Sequence, residues 1–536
     1  MNPRDSSAGV LGKYWRCAHR MLLAAAVGAL CGAAGSGLAA EQPTLRPNIV
    51  LIMADDMGYS DLGCYGSEIR TPNLDRLARE GLRFTQFYNN AKCIPTRASI
   101  LTGLYPRGLR ARLTTNMVTV AEVLRGAGYQ TALSGKWHLG PTAPHRPMDR
   151  GFDEFYGLLD GCCNYFDPAR QDPPFEGGRF RIFAHNRQRI RNFPSDFYTT
   201  DAFTEHAAAT LRRFAAAGKP FFLHLCYTAP HSPIQARPED IARYEGKYSA
   251  GWDALRRQRH ARQLELKLLD PKWALPEPDE MVYNWSTANQ PWEDRRMAVY
   301  AAMVDRMDQN IGRLLQALAD LNLETNTVVM FLSDNGSSSG EAGGRDTSQL
   351  AGPKSSYMNV GPAWAHAHNT PFRRYKLWLH EGGIATPFIV RWPSVVKPGT
   401  LTHQIGHIID VLPTCLELAG AKYPREFNGQ EILPVEGRSL VPAFRGKEVR
   451  PPDLLFWEQD GNRAVRQGKW KLVWDVELRR WELYDLEADR TETKDLAARH
   501  PARVRKLAAA YDRWARATGH TGEPPTRKPA PQKSSQ

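Results

Sequence analysis

The sequence predicts an α/β fold: a large, mostly parallel sheet sandwiched by helices, with a smaller antiparallel-sheet subdomain towards the C-terminus. Three observations predict it. Short apolar runs without polar alternation recur along the chain, as in strands covered on both faces. Helical patterns lie between them, and such alternation marks a parallel sheet covered by helices. Beyond Tyr423 the texture changes to Pro- and Gly-punctuated chain and then to short runs separated by tight turns, the pattern of an antiparallel sheet.

Taken in order, the chain opens with a secretory leader at residues 1–40. Arg4, Lys13, Arg16 and Arg20 precede an Ala- and Gly-rich apolar run from Met21, which ends in Gly37-Leu38-Ala39-Ala40 before Glu41. A membrane anchor would need stop-transfer charges behind the run, and there are none. No later run approaches the ~20 apolar residues of a membrane span. The mature protein is therefore expected to be exported, periplasmic or secreted, with no membrane association after leader cleavage.

Pro47 to Ala54 reads as the first buried strand, ended by two carboxylates. Thr71 to Gly81 reads as a helix, with a Thr cap, Pro at the first turn, Leu74, Leu77 and Ala78 on the apolar side, and a Gly stop. Gln130 to Ser134, Pro220 to Tyr227, Thr327 to Leu332 and Pro387 to Val390 are further strands. The clearest helix runs from Trp292 to Leu318, with Met297, Tyr300, Val304, Met307, Ile311 and Leu314 on one face. Two insertions, residues 234–291 with the charged helical run Trp252 to Leu269, and residues 337–365, follow candidate strands and read as substrate-shaping lids. A helix through Val411, Leu412, Cys415 and Leu416 stops at Gly420. Arg463 to Arg466, Trp470 to Trp474 and Trp481 to Tyr484 then form the small sheet, packed by a final helix from about Pro501 to Ala517. The expected organisation is a main α/β domain at 46–430, a small α+β subdomain at 431–518 and a disordered polar tail at 519–536.

A chain of 536 residues is long enough for one large core and a smaller domain. Its net charge of +13 suits an anionic substrate, but the basic residues are dispersed and carry no nucleic-acid recognition motif, which excludes that class of partner. Of eight cysteines, Cys17 and Cys31 fall in the leader, and the rest lack metal-ligand spacing. They allow one or two disulfides at most. The pair Cys162-Cys163 has no physical account from sequence.

The stretch Ala91 to Gly103 carries the chemistry. Pro95 suits the first turn of a helix, Ile100 and Leu101 give that helix an apolar side, and Gly103 can end it. Cys93 then sits at the helix N-terminus, where unpaired N–H groups and the dipole favour an anion. At other strand ends, Asp55-Asp56 and Asp334-Asn335 offer hard oxygen ligands suited to Ca²⁺ or Mg²⁺. Either pair alone would read as a turn or cap; both at strand ends, with Cys93 between them in sequence, point to a metal site. Arg97 lies one helical turn beyond Cys93. Lys136 and His138 leave the third strand together, and prolines flank His231 in Thr228-Ala229-Pro230-His231-Ser232-Pro233. Among other polar residues, His224 sits inside an apolar strand and reads as core. His145 reads as a loop residue, Asn164 and Tyr165 as pocket lining, and His366 and His368 as pocket or turn residues.

Cys93-x-Pro95-x-Arg97 resembles the signature of the type I (formylglycine-dependent) sulfatase family, in the alkaline phosphatase superfamily, and Gly128 to His138 matches the family's second signature throughout. Asn369 to Lys376 with His380 to Pro387 looks most like bacterial arylsulfatases. The resemblance covers about Arg46 to Trp514. It implies that a formylglycine-generating maturation enzyme oxidises Cys93, and that Asp55, Asp56, Asp334, Asn335 and modified Cys93 hold Ca²⁺, with Mg²⁺ a possible substitute. It also places Lys376, five residues before Glu381-Gly382-Gly383, as a sulfate-binding lysine. The implied reaction is attack on sulfur by one hydroxyl of the aldehyde hydrate, then expulsion of sulfate as the aldehyde re-forms. His231 would protonate the leaving alcohol, His138 would help deprotonate the second hydroxyl, and Lys136 and Arg97 would hold the developing charge. The implied substrate is a sulfated small molecule or glycan. Two alternatives stay open on sequence: a phosphonate monoester or phosphodiester hydrolase of the same superfamily, and a non-catalytic glycan-binding homologue in which Cys93 remains a thiol.

Overall fold

The structure, a computed structural model, describes residues 46–108, 113–340 and 347–520. The leader read at residues 1–40 and the tail beyond His520 lie outside the described residues. Ten strands form the large sheet: β1 (Asn48–Ala54), β2 (Leu82–Tyr88), β3 (Gln130–Gly135), β4 (Glu154–Leu158), β5 (Phe183–His185), β6 (Gln188–Ile190), β7 (Phe221–Cys226), β8 (Thr327–Ser333), β9 (Ala385–Arg391) and β10 (Thr400–His407). Their spatial order is β10-β2-β9-β8-β1-β7-β3-β4-β5-β6. The run from β8 through β1, β7 and β3 to β4 is continuously parallel, and β10 also pairs parallel with β2.

The mostly parallel sheet expected from sequence is present, with one difference of sense inside it. The segment around Pro387 to Val390 is β9, which runs antiparallel to both β2 and β8. Continuous apolarity reports burial on two faces, not direction, so the run alone could not reveal this. The strands that the sequence did not announce are more polar: β2 carries Arg83 and Gln86, and the edge strand β10 reads Thr-Leu-Thr-His-Gln-Ile-Gly-His.

The helices used below are α1 (Pro72–Arg79), α2 (Cys93–Thr102), α3 (Val120–Gly126), α4 (Thr199–Ala216), α5 (Gly251–Glu265), α6 (Gln290–Asp320), α7 (Pro362–His368), α8 (Val411–Ala419) and α9 (Pro501–Thr518). The alternation of side chains along β1 divides the core in two. Val50, Ile52 and Ala54 join the cluster covered by α1, α4 and α6, whereas Ile49, Leu51 and Met53 join the one covered by α2, α3 and α8. Burying each such side chain stabilises the fold by about 1.5–3 kcal/mol. The described parts of both insertions are anchored rather than loose. On α5 the buried Arg259 pairs with Asp61 at 2.7 Å and Glu68 at 2.8 Å, and in the second insertion the Ser356 carbonyl accepts from Gln235 Nε2 at 2.7 Å.

After a two-residue ladder of β11 (Glu426–Phe427) with β12 (Gln430–Glu431), the chain builds a second sheet. Its strands β13 (Leu455–Gln459), β14 (Asn462–Gln467), β15 (Trp470–Asp475) and β16 (Arg480–Asp485) pair antiparallel in sequence order. Helix α9 packs on it through Leu507, Tyr511 and Trp514. Gly519 ends α9 in the left-handed conformation, and the His520 ring stacks on Trp514. All six cysteines among the described residues are free thiols, and no described helix is long and apolar enough to cross a membrane.

A buried ion network joins the two sheets. Glu381 accepts from Lys471 Nζ at 2.9 Å, Arg490 Nε at 2.9 Å and the Tyr88 hydroxyl at 2.9 Å, and Lys471 also meets Glu492 at 2.8 Å. Lys471, Glu381 and Glu492 are fully buried. Removing the one ammonium that Glu381 and Glu492 share leaves like charges facing each other in the core. Lys471→Met is therefore expected to lower unfolding free energy by about 3–5 kcal/mol in urea denaturation; a loss below about 1 kcal/mol would contradict this role.

Candidate active site

The site forms at the carboxyl ends of the parallel strands, where an open α/β sheet presents its crevice. Asp55-Asp56 leave β1 and Asp334-Asn335 leave β8, and the pairing of Ala54 with Ser333 sets these exits side by side. The Asp56 N–H donates to Asp334 Oδ1 at 3.3 Å and Asn335 Nδ2 donates to Asp56 Oδ1 at 2.6 Å. A Cβ on Gly336 would fall 2.0 Å from the Gly382 carbonyl oxygen. That close backbone approach draws the chain before β9 against β8, and the Lys376 N–H donates to the Ser337 carbonyl at 3.0 Å. Lys136 follows β3 and His231 follows β7.

Cys93 is the first residue of α2 and is 5% exposed. Lys92 at the N-cap is extended, which frees the first N–H groups of the helix from intrahelical bonding. Asn90 braces the turn: its N–H donates to Thr96 Oγ1 at 2.9 Å and its Nδ2 to Ser99 Oγ at 2.9 Å. As expected, Gly103 ends the helix in the left-handed conformation. The Lys92 side chain turns away to Asp460, 3.0 Å distant in the β13–β14 turn.

Cations surround these groups. Arg97, only 2% exposed, donates through Nε and Nη2 to Asp334 Oδ2 at 3.1 and 2.8 Å, and through Nη1 to the Lys136 carbonyl at 2.9 Å. Lys136 Nζ donates to Asp55 Oδ2 at 2.5 Å, and Lys376 Nζ to Asp56 Oδ1 at 2.6 Å. Burial alone would raise Asp56, but the Lys376 and Lys136 ammoniums oppose it and hold the carboxyl well below its usual range. Asp334 is instead pushed up to about 6 by burial and by Asp55, against Arg97 and Lys136. Arg97, Lys136 and Lys376 are all held more firmly protonated than usual by their acidic neighbours despite burial: Asp334 and Asp55 act on Arg97, Asp55 on Lys136 and Asp56 on Lys376.

The two histidines are neutral. Burial, with Lys136, Arg97, His231 and Lys376 adding to it, pushes His138 well below the usual imidazole value. Burial likewise lowers His231 to about 3, against Asp56 and with Lys376 and Lys136. His231 Nδ1 lies 2.6 Å from the Ser232 carbonyl oxygen, so Nδ1 carries the proton, and Nε2 faces Asp56 Oδ2 at 3.5 Å. The ring of His138 abuts Gly161, where a Cβ would stand 2.5 Å from its Cε1. Asp56, Ala91, His138, Arg374 and Leu377, all at or beside this site, have positive φ. Each such backbone costs roughly 1–3 kcal/mol, so the surrounding packing must over-determine it.

The residues fit a hard dication. Asp55 Oδ1, Asp56 Oδ2 and Asn335 Oδ1 are buried oxygens without a hydrogen-bond partner, and they come from three of the expected ligands. Carboxylate atoms of Asp55 and Asp56 and a ring nitrogen of His231 lie within 4.8 Å of one another. An oxygen-seeking ion would take the carboxylates and amide first, leaving the His231 imidazole for proton transfer.

All ten residues singled out from sequence thus converge: Asp55, Asp56, Cys93, Arg97, Lys136, His138, His231, Asp334, Asn335 and Lys376. Arg97 is no surface helix residue, since it is buried against two carboxylates. His224 is core as expected, with Nδ1 3.0 Å from the Leu51 carbonyl. His368 stacks on Tyr300 at 3.9 Å and is also core, and His366 is buried 3.3 Å from Asp279. Asn164 Oδ1 caps its own turn at Phe166 and Asp167. Tyr165 does more than line a pocket: its hydroxyl lies 2.6 Å from the Thr228 carbonyl and 2.8 Å from the His231 carbonyl, fixing the histidine loop. The sequence offered no signal for Asn90, which acts through the Thr96 and Ser99 hydroxyls, and Tyr165 acts through backbone carbonyls that no motif announces.

Comparison with known proteins places this geometry. The sulfatase family model matches residues 47–421, and the model for the C-terminal part of N-sulphoglucosamine sulphohydrolase matches residues 373–509. The chain is 34% identical over 511 residues to an uncharacterized sulfatase of Schizosaccharomyces pombe, covering 86% of this chain and 92% of that one. It is 32% identical over 453 residues to an arylsulfatase of Klebsiella aerogenes, covering 79% and 96% respectively. The crystal structure of Ps i-CgsB in complex with k-i-k-neocarrahexaose superposes with a TM-score of 0.67 at 28% identity, covering 90% of this chain and 95% of the other.

If the orphaned oxygens are ion ligands, Ca²⁺ should raise the thermal unfolding midpoint of EDTA-treated protein, by an amount equivalent to about 2.7 kcal/mol at a hundredfold excess over Kd. Asp334→Ala should lose most of that rise. An equal rise in both proteins would contradict the ligand set.

Proposed function

The chain belongs to the sulfatase family, and from that premise we propose that it hydrolyses sulfate monoesters, arylsulfatase-like, through a formylglycine made from Cys93 and a bound Ca²⁺. The observation that carries this reading is the position of Cys93, which heads a buried helix within the field of Arg97, Lys136 and Lys376 and beside three unpartnered buried oxygens. When present, the hydrated aldehyde supplies a nucleophilic hydroxyl at neutral pH, and the ion supplies Lewis-acid polarisation. Asp55, Asp56, Asp334 and Asn335 would hold the ion, and the modified residue 93 would complete its shell.

The chain's own residues do the rest. Lys376 and Lys136 lie on different carboxylates, Lys136 fully buried and Lys376 largely so, and bind the sulfate oxygens where water screens them little. Arg97 holds Asp334 and, 3.7 Å from Asp55, fixes both carboxylates relative to α2. His138, kept neutral by burial and by its cationic neighbours, accepts the proton that restores the aldehyde. His231 keeps its Nδ1 proton on Ser232, so Nε2 is the atom that carries a proton to the leaving oxygen. Burial, with the lysine field added to it, keeps Nε2 bare in the free protein; the arriving sulfate charge opposes that field, and the proton that Nε2 delivers is taken up from solvent.

The natural substrate in this reading is a sulfated small molecule or glycan. The protein is exported, periplasmic or secreted, after removal of the leader, and a formylglycine-generating enzyme matures it. Cys93→Ala should abolish hydrolysis of 4-nitrophenyl sulfate with the unfolding midpoint unchanged; turnover near the wild-type rate would sink the mechanism. Wild-type enzyme should prefer the sulfate over the phosphonate monoester of the same phenol, and the reverse preference would favour a phosphonate hydrolase. His231→Ala should cost about 10²–10⁴-fold in kcat on alkyl sulfates but far less on 4-nitrophenyl sulfate, whose phenolate leaves unprotonated. Equal losses on both would remove His231 from proton donation.

A further inference from the structure

Away from the active site, the β4–β5 edge of the large sheet presents a second cluster of ligating groups. Glu154 and Tyr156 lie two apart on β4 and share a face. His185 on β5 pairs with Tyr156, and Ser134 on β3 pairs with it from the other side. Helix α4 covers this face and lowers His206 onto it. The His206 ring stacks on Tyr156 at 4.9 Å and 19°, and His185 stands edge-on to His206 at 5.7 Å and 80°. Ligand atoms of Glu154, His185 and His206 lie within 4.8 Å of one another.

The hydrogen bonds leave a specific demand. Ser134 Oγ donates its one hydrogen to the Phe203 carbonyl at 2.7 Å, so at its 3.2 Å contact with His206 Nδ1 it accepts. Nδ1 therefore carries the imidazole proton, and the Nε2 lone pair points at Glu154 Oε1, 2.8 Å away. Burial lowers His206 even though Glu154 opposes it, and Glu154 is paired with the Arg213 guanidinium. A neutral imidazole and an ionised carboxylate thus face each other lone pair to lone pair, which calls for a cation between them. Arg213, whose side chain is 53% exposed, donates through Nη2 to the same Glu154 Oε1 and to Thr210 Oγ1 at 2.9 Å, which neutralises the carboxylate but leaves the His206 Nε2 lone pair without a proton or a cation.

We propose that Glu154, His185 and His206 form a second metal site, for a borderline dication of the Zn²⁺ type, distinct from the oxygen-lined site beside Cys93. Two imidazoles and a carboxylate are a zinc ligand set, with a fourth position left for water, and are a poor match for Ca²⁺. The ion would join β4 and β5 to α4 through side chains, while Ser134 fixes the tautomer of His206 from behind. Its role is structural, since the cluster lies beneath α4 on one face of the sheet and shares no residue with the active site.

Untagged full-length protein, stripped with EDTA and then held in excess Ca²⁺, is titrated with ZnCl₂ by calorimetry, beside His185→Ala and Glu154→Gln variants. His185 is exposed, so its replacement leaves the fold intact. The wild type should bind one Zn²⁺ more than His185→Ala, or bind it at least ~10-fold tighter, since losing a ligand costs no less than losing a ligand's outer partner. Zn²⁺ should also raise the unfolding midpoint of the wild type but not of His185→Ala. Equal stoichiometry and affinity in both proteins, or no Zn²⁺ uptake by the wild type in Ca²⁺, would overturn the proposal.

Discussion

Everything at the centre of this protein depends on holding three carboxylates, Asp55, Asp56 and Asp334, dry and close together where β1 and β8 end. Burying one unpaired carboxylate is costly and burying three neighbours more so. The chain offsets that cost with Arg97, Lys136 and Lys376, each brought from a different element. The balance is incomplete by design of the hydrogen bonding: Asp55 Oδ1, Asp56 Oδ2 and Asn335 Oδ1 keep no donor. A dication would complete it, and its charge, added to three carboxylates already balanced by three cations, would attract an anionic ester.

The second sheet gives that arrangement its rigidity. Lys92, next to Cys93, reaches Asp460 in the β13–β14 turn, and Trp457 Nε1 on β13 donates to the Asn89 carbonyl at 2.8 Å. Asn462 Nδ2 reaches the Leu377 carbonyl at 3.3 Å, beside Lys376. The Glu381 network locks the segment between Lys376 and β9. The strained residues Ala91, Arg374 and Leu377 sit within these contacts, where packing can hold a conformation that a free loop would leave. The C-terminal part is thus a brace for both the loop before Cys93 and the loop around Lys376.

Much of this was legible in the sequence, for reasons that differ residue by residue. Pro95 and Gly103 announce the bounds of α2 through backbone chemistry, and the apolar run from Ile49 to Ala54 announces a doubly covered strand. The acidic pairs after β1 and β8 are readable because strand ends in α/β sheets converge. His138, His231 and Lys376 were legible only through resemblance, since a lone histidine or lysine has no local signature. The sense of β9 was hidden because burial on both faces erases direction. Tyr165 and the Lys471 network were hidden because their partners lie across the fold and contact them through backbone groups or a shared buried charge, whereas Asn90 was hidden because its local bonds to Thr96 and Ser99 depend on the turn before α2. The cluster at Glu154, His185 and His206 was invisible for the same reason: two strands and a helix supply one ligand each.

The most direct test of the central claim is the mass of the proteolytic peptide containing residue 93, from protein co-expressed with a formylglycine-generating enzyme. The account predicts the mass of the aldehyde or its hydrate in place of the cysteine. An intact thiol at that position, with a control sulfatase converted in the same cells, would contradict it and leave Cys93 without the nucleophile that the surrounding charges are arranged to serve.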